Sequence, residues 1–182
     1  MITTRVRLAT SGAELKACVD VALGKSDGNT ILVPVDFSDH SEAALIQACE
    51  FAQMMPTTLV VLHVVHDPGE MPGYYAKLVK KKRSIRMQDI AAEAFSEFIN
   101  NITEARPELT DLQHAELLMV IGLPVTRILE VVEQLNPIMV VMGSQGRTGL
   151  RNLVIGSKAA QIVQLCPVPV TIVKKTKPET SS

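Results

Sequence analysis

The chain alternates between short, continuous apolar runs and longer segments in which apolar residues recur every three or four positions. Each run has the length of a β-strand. Because almost every residue in a run is apolar, both faces of each strand are expected to be covered. The runs predict five strands, at residues 31–35, 59–65, 116–121, 138–142 and 168–173.

The segments between these strands have helical periodicity. One helix is predicted to open at Asp39 and Glu42 in the manner of a capping box, and another to begin at Pro124, which suits a first helical turn. A long amphipathic helix is predicted over residues 87–102, and a short one that ends before Pro167. Strands and helices therefore alternate along the chain.

This alternation is typical of an α/β fold with parallel strands. Right-handed crossovers then predict an open, doubly wound, five-stranded parallel sheet with helices on both faces, which is a Rossmann-like arrangement with strand order 3-2-1-4-5. In such a sheet, ligands bind beyond the carboxyl ends of the strands, where the strand order reverses. If the first and fourth strands are the neighbours at that reversal, the residues directly after them converge on one crevice.

Composition narrows the class of protein. The 182 residues are 47% hydrophobic and 20% charged with a formal net charge of -1, which suits one globular domain and gives no bulk attraction to nucleic acid or membranes. Aromatic residues make up only 3%, so stacking surfaces for single-stranded nucleic acid are not expected. No run approaches the ~18 apolar residues of a membrane helix, and no signal-peptide core is present, so a cytoplasmic location is predicted.

The cysteines and histidines form no catalytic pattern. Three unpatterned cysteines fit reduced thiols better than a disulfide framework. No histidine has a Ser or Cys partner at a recognisable nucleophile turn. His63 and His66 lie three residues apart at a strand end and so point to opposite faces, which argues against a shared metal ion. No catalytic or metal-binding residue is predicted.

The most specific motif follows the fourth strand. Gly143 and Gly146 open a loop that leads to Gly156 and Ser157, where Ser157 is expected to cap the last helix. Glycines let backbone N–H groups turn toward an anion, and a helix N-terminus also favours negative charge. The intervening segment is long and apolar enough to pack down and return Gly156 beside Gly143. A phosphate site for a nucleoside polyphosphate is predicted, although a plain turn would explain the first two glycines alone.

Two charged residues flank this motif in the predicted fold. Asp36 ends the first strand, where its carboxylate could accept hydrogen bonds from a base or ribose; the alternative is a simple turn or cap residue. Lys158 follows Ser157 at the start of the last helix, where a positive charge is unfavourable unless an anion compensates it. Lys158 is therefore a candidate phosphate contact. Neither the P-loop pattern nor the dinucleotide fingerprint occurs.

These residues resemble the universal stress protein family, specifically its ATP-binding branch. The similarity covers roughly residues 29–175 and is carried by ILVPVDFS at residues 31–38, by His63-Val64, and by the spacing Gly143-x2-Gly146-x9-Gly156-Ser157. The glycine spacing is the specific part, because members of the family that do not bind nucleotide lack it. The resemblance implies ATP as the ligand, with Mg²⁺ held through its phosphates.

The resemblance also implies a role for each matching position. Asp36 and Val64 would contact adenine, with neighbouring strand residues lining the adenine and ribose. The first two glycines would lie near the ribose and phosphates, and Gly156 and Ser157 at the polyphosphate. The complete predicted set is Pro34, Val35, Asp36, Val64, Met142, Gly143, Gly146, Arg147, Gly156, Ser157 and Lys158. A homodimer through the last strand, residues 168–173, is implied as well, and pairing would protect an edge otherwise prone to aggregation.

Several segments lie outside the family's usual frame. The universal stress protein domain is predicted over residues 29–175, preceded by an extension with a short helix and linker over residues 1–28 and followed by a flexible tail, 176–182. Residues 77–86 carry six basic side chains and no acid. This basic cluster could meet phosphates or an anionic partner, and a solvated helix face or mobile lid edge is the alternative.

Three functions remain open. The first is a regulatory module in which ATP orders the glycine loop and residues 68–86, changing the surface offered to an unidentified protein partner. The second is a weak ATP hydrolase or a phosphoryl- or adenylyl-transfer enzyme, although beyond Asp36 and Asp39 the sequence offers no obvious set of Mg²⁺ ligands or water-positioning groups. The third is a stress-linked interaction protein with a vestigial nucleotide site.

Overall fold

The computed structural model describes residues 6–24, 29–65, 87–146 and 155–175. Within these ranges the chain alternates between strands and helices. The strands are β1 (Val6–Ala9), β2 (Thr30–Val35), β3 (Thr58–Val65), β4 (Glu116–Ile121), β5 (Met139–Gly143) and β6 (Val170–Val173). The helices are α1 (Gly12–Leu23), α2 (Asp39–Met54), α3 (Met87–Ala105), α4 (Thr110–Gln113), α5 (Pro124–Leu135) and α6 (Ser157–Leu165).

The strands form one parallel sheet in the order β1-β4-β3-β2-β5-β6. The order predicted for the five core strands is confirmed, as is the α/β class. The predicted number of strands is wrong, because the segment before residue 29 contributes a strand as well as a helix. This sixth strand, β1, pairs with the outer side of β4.

An ion pair anchors the additional strand. Arg7 of β1 donates to the carboxylate of Glu116 through Nε at 3.2 Å and through a terminal guanidinium nitrogen at 3.0 Å. The Glu116 side chain is only 9% exposed, so solvent screens its attraction to the guanidinium only weakly, and loss of this partner would cost stability. The extension is therefore built into the sheet.

Helices cover both faces of the sheet, as expected for a doubly wound fold. Successive residues of a strand point to opposite faces, so Ile31 and Val33 of β2 pack beneath α2, α3 and α4, whereas Leu32 packs beneath α1, α5 and α6. Both sets of residues are fully buried. This two-sided burial is the physical reason that the core strands are apolar throughout.

The starts of two helices differ from expectation. The cap of α2 is Ser38, whose Oγ accepts the backbone N–H of Ser41 at 3.3 Å, so the predicted capping box is wrong. Helix α6 is preceded by Gly156 at the cap position, with no side-chain cap. Ser157 is therefore the first helical residue, and the prediction that it caps the helix is wrong. Pro124 does occupy the first turn of α5.

Some predictions fall on parts of the chain that the structure does not describe. Arg147, the basic cluster at residues 77–86 and the predicted tail at 176–182 lie outside the described residues. Among the helices of the described ranges, none is long and apolar enough to cross a membrane.

Candidate functional site

The carboxyl ends of β2 and β5 lie side by side, and the predicted polar residues follow them. Strand β2 ends at Val35, directly before Asp36, and β5 ends at Gly143, directly before the glycine loop. A Cβ atom placed on Gly146 would lie 2.7 Å from Oδ2 of Asp36. The structure therefore brings the acid and the loop into one crevice, as the topology predicted.

The two carboxylate oxygens of Asp36 have different surroundings. Oδ1 accepts hydrogen bonds from the hydroxyl and the backbone N–H of Ser38, at 2.6 and 3.2 Å. This is the local turn role that was the alternative interpretation of Asp36. Oδ2 is the oxygen that lies against Gly146. One side of the carboxylate thus shapes the turn, while the other faces the glycine loop.

Phe37 stabilises the turn after β2 through the stacking of its ring. Its backbone has a φ of 64°, in the left-handed region that residues other than glycine rarely adopt. Its ring stacks on His63, with centroids 4.1 Å apart, and His63 is only 5% exposed. The His63 ring in turn donates from Nδ1 to the carbonyl of Val35 at 2.9 Å. The packed rings hold the strained backbone in place, and no local pattern in the sequence marks a left-handed Phe.

Gly143 has a packing role that the sequence analysis did not assign to it. A Cβ atom at this buried position would lie 2.7 Å from both the carbonyl carbon and the carbonyl oxygen of His40. No heavy atom fits at that distance from fixed backbone. The absence of a side chain lets the first turn of α2 pack directly on the end of β5.

Gly156 returns to the glycine loop. Its N–H donates to the carbonyl of Ser144 at 2.7 Å, and a Cβ atom on it would lie 3.6 Å from the Cα of Gln145. Gly156 therefore does return to the start of the loop, but beside Ser144 and Gln145, the two residues that follow Gly143. Residues 147–154, which include Arg147, lie outside the described part of the chain.

The start of α6 lies beside this loop, since Gly156 donates to the Ser144 carbonyl. It lacks a side-chain cap and has no acidic residue in its first turn, in contrast to α2, whose first turn contains Asp39 and Glu42. Ser157 and Lys158 are both exposed there. Uncapped N–H groups and the helix dipole make such an end favourable for an anion.

The remaining predicted residues belong to the strands. Pro34 and Val35 are buried in β2, and Met142 is buried in β5 with 8% exposure. Val64, near the end of β3, is half-buried against the apolar cluster beneath α5 and α6. These four residues lie at or near the carboxyl ends of strands β2, β3 and β5.

A polar network that the sequence analysis missed borders the loop. The ammonium group of Lys175 pairs with the Asp39 carboxylate, and this hydrogen bond lowers the pKa of Asp39 below its ordinary value. His40 Nδ1 lies 3.3 Å from Ser144 Oγ. These residues are separated by more than a hundred positions, so no local signal could have joined them. Among the described residues, no three His, Cys, Asp or Glu side chains are grouped so as to hold a metal ion.

Comparisons with known proteins agree with this architecture. The model of the universal stress protein family matches residues 29–174. The universal stress protein MJ0531 of Methanocaldococcus jannaschii is 29% identical over 149 residues, which cover 82% of this chain and 84% of that protein.

Solved structures share the fold. The universal stress protein UspA from Lactobacillus plantarum aligns with a TM-score of 0.61 at 21% identity, over 82% of this chain and 99% of that one. A universal stress protein in complex with cAMP aligns with a TM-score of 0.52 at 19% identity, over 81% and 98%. With a family model that spans most of its length and a matching fold, this chain belongs to the universal stress protein family.

Proposed function

We propose that this protein binds an adenine nucleotide, ATP in particular, at the carboxyl ends of β2 and β5. The observation that carries the proposal is the approach of Gly146 to the Asp36 carboxylate, where a Cβ would lie 2.7 Å from Oδ2. At this distance a side chain on residue 146 fits only if the loop or the Asp36 carboxylate moves. Backbone N–H groups and a carboxylate in one crevice suit the phosphates and the base or ribose of one ligand.

The phosphates belong at the start of α6. Gly156 lies beside the loop backbone, and the uncapped N–H groups of the next turn, together with Lys158, favour negative charge. We assign Mg²⁺ to the phosphates themselves, where it would neutralise part of their charge, and we assign no side chain as its ligand. Arg147 remains a proposed phosphate contact.

The adenine belongs at the ends of β2 and β3. Asp36 offers an acceptor, and Val64 and Met142 offer apolar surface on either side of it. The solved family member in complex with cAMP supports an adenine nucleotide as the ligand class. We propose ATP rather than a monophosphate because the spacing Gly143-x2-Gly146-x9-Gly156-Ser157 resembles that of the family's ATP-binding branch.

Nucleotide occupancy would act as a regulatory signal. We infer a nucleotide-dependent module of the stress response in the cytoplasm, whose glycine loop changes the surface offered to a protein partner. A homodimer through β6 is part of this proposal, since β6 lies at the end of the sheet and its residues are only half-buried. Sedimentation of the purified protein should give a dimer. A monomer at micromolar concentration would contradict the proposed homodimer.

The test begins with the protein as purified. It is denatured, and the released small molecules are identified by chromatography and mass spectrometry; the emptied protein is then titrated with ATP, AMP and cAMP. Released or titratable ATP supports the proposal, whereas no binding of any of the three at millimolar concentration contradicts it. ADP or AMP formation above a blank, lost in Asp36→Ala, would instead favour an enzyme.

A further inference from the structure

His40 joins three parts of the chain that are far apart in sequence. It lies in the first turn of α2, and its backbone packs on Gly143 at the end of β5. Its Nδ1 lies 3.3 Å from the hydroxyl of Ser144, the first residue after β5. The backbone N–H of Lys175, two residues after β6, donates to the same nitrogen at 3.4 Å.

The hydrogen-bond donors around His40 Nδ1 determine whether this nitrogen donates or accepts. A backbone N–H has no acceptor capacity, so the bond from Lys175 requires a lone pair on Nδ1. Nδ1 of His40 is therefore the acceptor of this bond. The Ser144 hydroxyl is free to rotate and donates toward the same lone pair, which the two donors share. Since Ser144 is only 2% exposed, His40 provides the partner that its buried hydroxyl needs.

Ser144 occupies the point where the two halves of the glycine motif meet. Its carbonyl accepts the N–H of Gly156 at 2.7 Å, and its own N–H donates to Val173 of β6 at 2.8 Å. Its backbone therefore connects the loop, the start of α6 and the last strand. The hydroxyl bond to His40 is the side-chain contact that fixes the same residue against α2.

The Asp39–Lys175 pair holds the third partner in position. The ammonium of Lys175 bonds to Asp39, the neighbour of His40, and this places the Lys175 amide against the imidazole. Both side chains are about half exposed or more, at 49% and 69%, so the pair adds little stability. Its effect is geometric, because it directs the chain after β6 across the start of α2.

We propose that His40 is a positioning residue of the nucleotide site, which fixes Ser144 at the start of the glycine loop and couples phosphate binding to the chain that follows β6. This inference rests on the proposed nucleotide site. Phosphates bound at the start of α6 would hold Gly156 and, through its bond to the Ser144 carbonyl, Ser144 itself. A fixed Ser144 would keep the imidazole in the orientation in which Nδ1 accepts the Lys175 amide. His40 itself makes no contact with the nucleotide in this account.

The test compares ATP with adenosine in the wild type, His40→Ala and His40→Asn. In His40→Asn, the side-chain oxygen can take the place of Nδ1, whereas His40→Ala removes the acceptor. We expect His40→Ala to weaken ATP binding about tenfold and adenosine binding less than about twofold, with His40→Asn within about threefold of the wild type. ATP should slow amide exchange in the segment that contains Lys175 in the wild type and His40→Asn, but not in His40→Ala.

The outcomes separate this inference from the proposed function. If the wild type binds neither ligand, the proposed function fails and the inference falls with it. If the wild type binds ATP, the inference alone is overturned when His40→Ala binds ATP normally, when it loses ATP and adenosine equally, or when His40→Asn does not restore binding. Should His40→Ala fail to fold, Ser144→Ala removes the other partner of the same bond and must give the same selective loss of ATP.

Discussion

Gly146 lies directly over the carboxylate of Asp36, so close that a Cβ atom on the glycine would be 2.7 Å from Oδ2. The two residues are brought together because β2 and β5 are adjacent strands of a parallel sheet and end at the same edge. This contact defines the crevice in which we place the nucleotide. It also means that a single methyl group at residue 146 must displace either Asp36 or the loop.

Gly146→Ala should therefore reduce ATP affinity by at least about tenfold, or ~1.4 kcal/mol, while leaving the free energy of unfolding nearly unchanged. Either the exposed loop moves outward or the Asp36 carboxylate leaves its position, and each change separates the two sides of the crevice. Gly12→Ala is the matched control, because no heavy atom lies within 4 Å of a Cβ there. Calorimetric titration and urea unfolding measure the two effects. Unchanged ATP affinity in Gly146→Ala would contradict the assignment of the glycine loop to the nucleotide site.

Gly143→Ala should act in the opposite way, by destabilising the fold. The new methyl group would meet backbone atoms of His40 at 2.7 Å, and overpacking of this kind costs about 1–3 kcal/mol. Gly156→Ala is the comparison, since its nearest neighbour would be at 3.5 Å, an ordinary contact. Urea unfolding should show a lower midpoint for Gly143→Ala alone. Equal midpoints would contradict the packing role of Gly143.

The fold follows from the sequence because the pattern of the core strands is strong. Apolar runs buried on both faces, separated by helical segments, leave few topologies, and the order of the five core strands was predicted correctly. β1 was not predicted, since Val6–Ala9 is only four residues long and includes Arg7. Only the tertiary contact with Glu116 explains a charged residue in that strand.

The site was predictable in outline and not in detail. The convergence of Asp36 with the glycine loop follows from topology and the position of glycines. The role of His40 does not, because its partner Ser144 is 104 positions away. The left-handed Phe37 was missed for a similar reason: its stacking on His63 stabilises a conformation that local preference opposes.

Arg7→Ala should destabilise the protein by about 1–3 kcal/mol, because the largely buried Glu116 carboxylate would lose its two hydrogen bonds from the guanidinium. Arg7→Ala combined with Glu116→Gln should recover part of this loss. Lys16→Ala, which breaks an exposed pair with Asp20, serves as the control and should change little. Thermal unfolding of the four proteins decides. If Arg7→Ala matches Lys16→Ala, the Arg7–Glu116 ion pair contributes nothing measurable to stability.

Ionisation of the Cys49 thiol should lower the free energy of unfolding at high pH. Burial in the core raises the pKa of its thiol from 9.0 to about 12. The folded state therefore keeps a proton that the unfolded state loses, so this contribution is complete below pH 9.0 and is lost as the pH rises to about 12. The unfolding midpoint should fall more steeply with pH in the wild type than in Cys49→Ala. Parallel curves would contradict this assignment.

The most direct test of the nucleotide site is a calorimetric titration of ATP into the emptied wild type and into Gly146→Ala, side by side. We predict saturable binding of one ATP per chain in the wild type and a loss of at least about tenfold in the variant. No heat of binding in the wild type, or equal affinity in both proteins, would contradict the proposal that Asp36 and the glycine loop form an ATP site.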